Sequence, residues 1–427
     1  MERPLPKILV VSHNSFSAVQ NNGKTLQALF EGWPSDRIAQ LFFHDEVPNF
    51  EVCKNFFRIT DADVFRAIIR NNGNCGQNVK ESKVIKKTIN VSKGISFQNL
   101  FKLMAKYKLE VMYLLRDLIW SSNRWKTNKF LEWLDRFSPE VVFFVGSNYR
   151  FSYNIALWIA NERNIPFMLF CTDDYVTSKP TTNLFWWIKY WGVKNRFIKA
   201  INIAKRVFVI GDAMANEYSS RFGRECTVIM NSVDIPKIFP NYKKSDRKYI
   251  KLVYAGNLGL NRWQPLTEIN EYLMELRKND IYGKMYIYSL NVPSGKVFNA
   301  LNNPPSMGYY GSLKGDQLKK EIQDADIVIH VESFDKKNRH LTRLSMSTKI
   351  PEYLALGKCI LAYGPSDVAS IKYLIDNNAA VVACNRNELK QKLDLLLNGI
   401  ISKSKMGRKA YDLAIRKHQR TRLADLL

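Results

Sequence analysis

The sequence predicts an α/β protein with two domains, each built around a doubly wound parallel sheet. Short apolar runs typical of buried parallel strands recur along the chain and alternate with amphipathic segments of helical length. A charged segment with two prolines, residues 236–248, separates two such series and is predicted to be a linker. The chain has 427 residues, more than a single hydrophobic core usually serves.

The first domain is predicted to span residues 1–235. Its strands are predicted at residues 7–12, 38–44, 140–146, 165–170, 206–210 and 226–230. Residues 46–95 are predicted to be irregular, and residues 79–133 follow a helical pattern with an excess of basic side chains. Two interpretations of this basic face stay open: a solvated outer face of helices that pack on the sheet, or a face turned towards anionic lipid.

The second domain is predicted to span residues 249–400. Its strands are predicted at residues 249–256, 284–290, 326–331, 359–364 and 379–383. The segments between them have helical length and pattern, which is the alternation expected of a parallel sheet.

The composition limits the classes of function. Lysine and arginine number 64 against 39 acidic residues, a formal net charge of +25. Such an excess indicates a polyanionic neighbour, namely an anionic membrane face, a phosphorylated substrate or nucleic acid, although a lysine-rich codon bias also produces it. The six cysteines lack metal-ligand spacing, so we expect reduced thiols and a cytoplasmic protein. No apolar run approaches the ~20 residues that span a membrane, and the start of the chain lacks a signal-peptide pattern.

Residues 345–358 have the most informative local pattern. They lie between two strand-like runs and are predicted to form a helix that ends at Gly357. Pro351 suits the first helical turn, because the N–H that it lacks has no helical partner there. The simplest interpretation is an ordinary amphipathic helix of a doubly wound domain.

The polar residues of this stretch suggest a ligand. Ser347 and Thr348 are predicted at or just before the start of the helix, and Lys349 follows them. Two hydroxyls, an ammonium group and free backbone N–H groups would there converge on an anion, most simply a phosphate. Glu352, one turn later, is placed to accept hydrogen bonds from sugar hydroxyls.

This stretch resembles the donor-binding segment of GT-B-fold, nucleotide-sugar-dependent glycosyltransferases, specifically the large retaining group (family 4-like, bacterial surface polysaccharide type). In that family a helix carries two glutamates with seven residues between them, at positions that correspond here to 344 and 352. The second binds the ribose of the nucleotide, and Glu352 matches it. Leu344 replaces the first, and Glu332 is a candidate substitute. Residues 231–234 also resemble the end of the family's first domain.

The resemblance assigns further residues of the second domain to the donor. Gly256, Asn257 and Arg262 follow its first strand, where the family clamps the pyrophosphate. Arg262 matches one basic residue of that clamp, and Asn257 replaces another. Tyr310 lies in the segment that resembles the short strand and loop beside the nucleotide base. The resemblance also implies that the last helix, within residues 401–427, packs back on the first domain.

In the first domain, two places are candidate ligand contacts. Gly23 and Lys24 are predicted in a loop between the first strand and a helix over residues 25–33, near the donor phosphate and the acceptor; an ordinary strand–helix turn is the alternative. Asp173 and Asp174 follow a strand, at the sheet edge where α/β proteins bind ligands. One of them is expected to contact sugar hydroxyls, unless it caps the following segment.

Taken together, the resemblance implies two Rossmann-like domains facing a cleft. It implies an enzyme that transfers a hexose-like sugar, with retention, from a UDP- or GDP-type sugar to a glycan or lipid-linked glycan. Arg262, Lys349 and the helix start would stabilise the leaving group, and no metal or cofactor is expected. Two alternatives stay open: a noncatalytic GT-B module or peripheral membrane protein that binds anionic glycolipid, and a nucleotide-sugar epimerase of the same fold.

Residues 183–206 combine aromatic and basic side chains and contain no acidic residue. This composition suits an interfacial membrane helix at the inner membrane face, and it equally suits a core helix with a basic outer face. Interleaved aromatic and basic residues also occur in nucleic-acid binding, but no recognised nucleic-acid module accompanies them here.

Overall fold

The computed structural model describes residues 4–17, 21–70, 74–81, 110–179, 181–240, 248–278, 280–419 and 422–426. The chain divides into two compact units, of which the first comprises Met1–Ile229 with Thr421–Leu427 and the second comprises Met230–Arg420.

The first unit contains an eight-stranded sheet. Its strands are β1 (Ile8–Ser12), β2 (Ile38–Phe42), β3 (Asn55–Arg58), β4 (Gln77–Val79), β5 (Val141–Val145), β6 (Phe167–Cys171), β7 (Arg206–Val209) and β8 (Thr227–Val228). Their order is β4-β3-β2-β1-β5-β6-β7-β8, and every neighbouring pair is parallel except β3 and β4. All residues of β1, β2, β5 and β6 are buried, which explains their continuous apolar sequences.

Helices connect these strands. Those in the described part of the first unit are α1 (Asn21–Leu29), α2 (Asp61–Ile69), α3 (Glu110–Ser121), α4 (Asn128–Phe137), α5 (Arg150–Glu162), α6 (Leu184–Ile203) and α7 (Asp212–Phe222). The prediction of irregular chain over residues 46–95 is wrong for β3, α2 and β4. A capping box at the start of α2, in which Thr60 and Asp63 bond each other's backbone N–H, is a sequence signal for this helix. Residues 82–109 of the predicted basic helical segment lie outside the described residues.

The second unit contains a six-stranded sheet whose neighbouring strands are all parallel. Its strands are β9 (Ile250–Ala255), β10 (Gly283–Tyr288), β11 (Met307–Tyr309), β12 (Ile327–Val331), β13 (Cys359–Tyr363) and β14 (Val381–Ala383). Their order, β11-β10-β9-β12-β13-β14, is the Rossmann order with the chain reversal beside β9.

Helices cover both faces of this sheet. They are α8 (Trp263–Arg277), α9 (Gly295–Leu301), α10 (Gly315–Asp324), α11 (Lys336–Thr342), α12 (Lys349–Ala355), α13 (Ala369–Asp376), α14 (Arg386–Leu397) and α15 (Lys403–Lys417). Successive strand residues alternate between two cores: Ile327 and Ile329 pack into one, and Val328 packs into the other. The predicted α/β class with two doubly wound sheets is therefore confirmed.

Residues 401–427, predicted to pack back on the first domain, divide between the two units at residues 420 and 421. Helix α15 packs against α12 and β13 of the second unit, where Ala410, Leu413 and Ala414 are buried in the core. A short 3₁₀ turn, Leu423–Leu426, groups with the first unit, where Arg206 donates a hydrogen bond to the Leu426 carbonyl. The apolar face of α15 therefore packs into the core of the unit that directly precedes it in the sequence.

The predicted linker, residues 236–248, is packed where it is described. Tyr411 donates a hydrogen bond to the Pro236 carbonyl, and the Phe239 ring packs against Tyr411 with 5.3 Å between centroids. Residues 241–247 lie outside the described part of the chain. The first residues of this segment thus belong structurally to the second unit.

Among the described helices, none combines the length and apolar character that crossing a bilayer requires. None of the six cysteines forms a disulfide.

Candidate functional site

The candidate donor site lies at the carboxyl edge of the second sheet. Strands β9, β12 and β13 are adjacent and parallel, so the segments that follow them emerge at one edge. Gly256, Asn257 and Arg262 follow β9, and Glu332 follows β12. Helix α12 connects back to β13, which places its first residues towards the same edge. The topology thus gathers most of the residues assigned to the donor.

The loop at Gly256 is held by two buried tyrosines. A Cβ at Gly256 would lie 2.7 Å from the Tyr254 hydroxyl, which donates a hydrogen bond to the Asn257 carbonyl. The Tyr353 hydroxyl of α12 accepts from the Ala255 N–H at 3.3 Å and donates to the Ala255 carbonyl at 3.2 Å. Tyr353 therefore fixes α12 to the end of β9, and the glycine leaves space for the tyrosine beneath the loop.

The side chain of Asn257 shapes its own loop. Its Oδ1 accepts hydrogen bonds from the Gly259 N–H at 2.7 Å and from Asn291 Nδ2 at 3.2 Å. The next turn carries Leu260 and Asn261 in left-handed backbone conformations, with φ of +57° and +56°. Asn257 thus organises the backbone at the position where the resembled family has a basic phosphate ligand.

Arg262 forms a two-point ion pair with a buried acid. Its Nε and Nη2 donate to the Glu332 carboxylate at 3.1 Å each, and the Glu332 side chain is only 4% exposed. Burial raises the pKa of Glu332, and Arg262 opposes that shift. The Nη1 group of Arg262 takes no part in this pair, so its N–H donors point away from Glu332. The pair fixes the guanidinium plane and occupies both Glu332 oxygens.

The start of α12 lies where the sequence predicts it. Helix α12 begins at Lys349 after the N-cap residue Thr348, whose side chain makes no capping hydrogen bond. The Ser347 hydroxyl accepts from the Lys349 N–H at 3.3 Å. Gly357 has φ of +61° just beyond the helix, as expected of a helix stop. The strand–helix–strand prediction for this stretch is confirmed.

Lys349 and Glu352 form a partly exposed ion pair at the start of α12. The Lys349 Nζ lies 2.9 Å from Glu352 Oε2, and the two side chains are 28% and 25% exposed. Both side chains are thus partly accessible to solvent, whereas the Glu332 side chain is buried. A partly exposed pair with this geometry can exchange partners with a ligand that carries both phosphates and hydroxyls.

Two other positions that the sequence singled out are Leu344 and Tyr310. Leu344, at the place of the family's first glutamate, is buried with 6% exposure, so an apolar contact replaces a polar one. The Tyr310 ring stacks on Tyr286 of β10 with 4.7 Å between centroids, and a Cβ at Gly308 would lie 2.9 Å from it. Tyr310 remains 45% exposed while it covers this part of the sheet.

In the first unit, Gly23 and Lys24 lie in the first turn of α1, so the predicted loop position is wrong. A Cβ at Gly23 would lie 2.5 Å from the Ser15 carbonyl oxygen and 2.6 Å from Ser17 Cβ. The described residues that follow β1 pass directly over this turn, and only glycine permits that approach. The structure therefore gives Gly23 a packing role.

Asp173 and Asp174 follow β6 as predicted, and their contacts differ. The Asp174 carboxylate accepts from the Val176 N–H at 3.1 Å, from the hydroxyls of Thr177 and Tyr218, and from Arg221 Nη1 at 3.1 Å. Its side chain is 6% exposed. These contacts give Asp174 the capping role that the sequence left as an alternative. Asp173 accepts from the Asp174 N–H at 3.0 Å.

Two histidines at the carboxyl edge of the first sheet escaped the sequence interpretation. His13 directly follows β1, and its carbonyl accepts from the His44 N–H at 2.9 Å. His44 Nδ1 lies 3.2 Å from Glu46 Oε2, and this hydrogen bond raises the pKa of His44. Burial lowers the pKa of His13 well below its usual value, so its ring is neutral. The position of each histidine just after a parallel strand is the signal that would have found them.

A buried cation lies beside these histidines. Arg116 of α3 pairs with Asp61 at 2.7 Å, and its guanidinium carbon lies 4.1 Å from the centroid of the Tyr149 ring. The His13 and Tyr149 rings are 4.6 Å apart. The first unit thus carries its own cluster of ionisable and aromatic groups at the carboxyl edge of its sheet.

No group of three or more His, Cys, Asp or Glu side chains within the described ranges is arranged to hold a metal ion.

Solved structures share the fold over nearly the whole chain. Sucrose-phosphate synthase from Thermosynechococcus elongatus has 11% identity and a TM-score of 0.60, with 97% of this chain and 95% of that chain covered. HepE from Anabaena, in complex with UDP, has 11% identity and a TM-score of 0.57, with 97% and 96% covered. A UDP-forming α,α-trehalose-phosphate synthase from Burkholderia xenovorans, in complex with glucose-6-phosphate, has 8% identity and a TM-score of 0.55, with 96% and 97% covered.

At these identities the likeness shows the fold, which is GT-B. No protein-family model and no curated protein sequence matches the chain.

Proposed function

We propose that this protein is a glycosyltransferase that transfers a hexose-like sugar from a nucleoside diphosphate sugar to a hydroxyl of a glycan or lipid-linked glycan. The observation that carries the proposal is the Lys349–Glu352 pair at the carboxyl edge of the second sheet, beside the Gly256 loop. The fold supports it, because structures with this fold bind UDP or are described as UDP-forming. UDP is therefore the first donor to test, and GDP is the second.

In this mechanism the ion pair exchanges its internal contacts for contacts with the donor. Glu352 accepts hydrogen bonds from the ribose hydroxyls, and the Lys349 ammonium turns to the diphosphate. The backbone N–H groups of Lys349 and Ile350 bond to Ser347, and Pro351 has none, so the free N–H groups expected at this helix start are not there. The Ser347 and Thr348 hydroxyls add donors for the same oxygens. The negative charge that develops on the leaving diphosphate is then stabilised by groups that are already in place.

Arg262 serves the donor through the part of its guanidinium that Glu332 does not occupy. Nε and Nη2 stay with Glu332, and the Nη1 donors are directed at a phosphate oxygen. Glu332 is then a positioning residue for Arg262. This assignment replaces the expectation that Glu332 substitutes for the family's first glutamate.

On the acceptor side, Asp173 is the remaining candidate for contact with sugar hydroxyls, since the partners of Asp174 occupy its carboxylate. Retention of configuration by same-face attack, a cytoplasmic location, and a role in surface polysaccharide synthesis at the inner membrane face complete the proposal. No metal or resident cofactor takes part in it.

Calorimetric titration of the full chain with UDP and with GDP tests the donor site. We expect micromolar affinity for one of them and at least about tenfold weaker binding in Lys349→Ala and in Glu352→Ala, because each loses a charge-assisted contact. Lys372→Ala is the matched control, since Lys372 forms an exposed pair with Asp376 at 3.1 Å in the same unit. Equal affinity in all variants, or no nucleotide affinity in the wild type, would contradict the site.

A screen of nucleotide sugars for donor hydrolysis then identifies base and sugar. Release of free sugar and nucleoside diphosphate supports a transferase. Conversion of the donor into another nucleotide sugar, without loss of the nucleotide, identifies an epimerase of the same fold. Nucleotide binding without turnover on any donor or acceptor identifies a noncatalytic module.

A further inference from the structure

Helix α6 exposes an apolar stripe although its opposite face is fully packed. Its buried side chains are Tyr190, Val193, Phe197, Ala200 and Ile201. Its first turns expose Leu184 (67%), Phe185 (47%), Ile188 (49%) and Trp191 (49%). Positions 184, 188 and 191 lie on one helix face by their spacing, so the exposed groups form a stripe rather than isolated side chains. Core packing therefore explains the second half of α6 and leaves the stripe unexplained.

The surroundings of the stripe are exclusively basic in sequence. Between Asp174 and Asp212 the chain has no acidic residue and seven basic ones. The Lys194 ammonium lies 4.7 Å from the centroid of the Trp191 ring, and the Lys179 ammonium lies 5.1 Å from that of Trp186. Amphipathic aromatic rings beside cations are typical of helices that lie in the interface of an anionic bilayer.

A cavity of about 400 Å³ adjoins the second half of α6. It is lined by Lys194, Ile198, Asn202, Arg221 and Phe222. Arg221 is held there by Asp174, by Glu217 and by the Val176 carbonyl, at 3.1, 3.4 and 2.9 Å, so the cation has a fixed position. The cavity thus combines one anchored guanidinium with the Lys194 ammonium that also covers Trp191.

We propose that α6 docks on an anionic phospholipid membrane, with the stripe of Leu184, Phe185, Ile188 and Trp191 in the interface and the Lys194 cavity at a lipid phosphate. Charge complementarity selects this occupant. A second copy of the chain would bring a net charge of +25 against +25. A nucleic acid would use the cations but would gain little from exposed leucine and isoleucine. The proposal does not depend on sugar transfer, so it can fail or hold independently of the proposed function.

Co-sedimentation of the full chain with vesicles tests it. The vesicles are phosphatidylcholine alone and an equimolar mixture with phosphatidylglycerol. We expect the wild type to bind the mixture and Ile188→Ser with Trp191→Ser to bind it at least about tenfold more weakly, because this variant keeps every charge and loses interfacial apolar area. The matched control is Leu290→Ser with Val292→Ser, at positions that are 65% and 84% exposed in the second unit, and it should bind as the wild type does.

A charge variant locates the headgroup contact. Lys194→Gln should weaken binding to the mixed vesicles by about fivefold, the effect of one lysine near an anionic surface. Lys319→Gln, on the exposed surface of α10, should leave binding unchanged. Circular dichroism of each variant checks folding, and Leu184→Ser alone provides a milder second test of the stripe.

Three outcomes would overturn the proposal. One is unchanged vesicle binding in the stripe variant, which would mean that the net charge alone adsorbs the protein. Another is failure of the wild type to bind anionic vesicles. The last is self-association or single-stranded DNA binding that is lost in the stripe variant while vesicle binding is not.

Discussion

The carboxyl edges of the two sheets both carry acids and bases, but they use them differently. In the second unit, Lys349 and Glu352 form a pair that is about one quarter exposed on each side. In the first unit, the Asp174 carboxylate has several partners and is 6% exposed. A buried carboxylate with many donors stabilises the fold. A ligand could bind it only after its hydrogen bonds and ion pairs with the protein were broken. In a partly exposed pair, each charged group can replace its partner by water or by a ligand at little cost in free energy.

The comparison separates residues that the sequence alone treats alike. Asp174 and Glu352 are both acids near the expected ligand, yet the Asp174 carboxylate is buried among several donors whereas Glu352 is partly exposed. Arg262 lies between the two cases, since Glu332 fixes part of its guanidinium and leaves Nη1 for a ligand. Replacing Asp174, Arg262 and Lys349 tests this ordering, with each effect measured on the full chain.

Replacing Asp174 should have the largest effect. Asp174→Ala removes the acceptor of the Tyr218 hydroxyl and of the Val176 N–H and leaves Arg221 with Glu217 as its acid. The free energy of unfolding of the first unit should therefore fall by about 3–5 kcal/mol. Hydrogen exchange of peptides from β6 and α7 along a urea series measures it. Asp135→Asn is the control: this exposed acid pairs with Arg163 at 2.5 Å, and we expect a loss within about 1 kcal/mol. Equal losses of unfolding free energy in the two variants would mean that the buried Asp174 and the exposed Asp135 contribute alike.

Arg262→Met should destabilise the second unit and weaken nucleotide binding together. It leaves Glu332 buried without a counter-ion, which costs about 3 kcal/mol or more, and it removes the phosphate donor. Lys349→Met should weaken UDP binding at least about tenfold while stability changes by less than about 1 kcal/mol. Hydrogen exchange and calorimetric titration separate the two quantities. A stable Arg262→Met protein would show that the pair with Glu332 is not structural.

Two glycines in the same backbone conformation provide a smaller test. Gly357 and Gly223 both have φ of +61°, but a Cβ at Gly357 would lie 2.7 Å from the Phe239 ring and a Cβ at Gly223 meets nothing within 4 Å. Gly223→Ala should cost about 1 kcal/mol for the left-handed backbone alone. Gly357→Ala should cost about 2–4 kcal/mol, because overpacking adds to it. Local hydrogen exchange in urea measures both, and equal costs would mean that Phe239 moves aside freely.

The smallest expected effect is a change in titration. Glu46 raises the pKa of His44 by its hydrogen bond, so Glu46→Gln should lower that pKa. A raised folded pKa stabilises the protein fully below the unfolded value near 6.5 and loses this contribution as pH rises through the folded pKa. The variant should therefore lose the pH-dependent stabilisation on the acid side. NMR titration of the imidazole signals measures it, with His13 as the reference ring that stays neutral.

The β3–α2 region shows why part of the fold escaped the sequence pattern. Strand β3 has only four residues, and its polar ends, Asn55 and Arg58, hide the short apolar centre. It forms a strand because it pairs with β2, and the local pattern of apolar residues does not predict that pairing. The longer buried strands needed no such context, since an apolar run of their length is already diagnostic.

The sequence by itself determined the longer strands of both sheets, the linker's place in the chain and the start of α12, because apolar periodicity and the signals at Pro351 and Gly357 act locally. Only the tertiary structure decided that the Asp174 carboxylate is buried among its hydrogen-bond donors and that Glu332 pairs with Arg262. It also decided that α15 packs on the second unit. Each of these depends on partners distant in sequence, and the folded chain alone brings such partners within hydrogen-bond or packing distance.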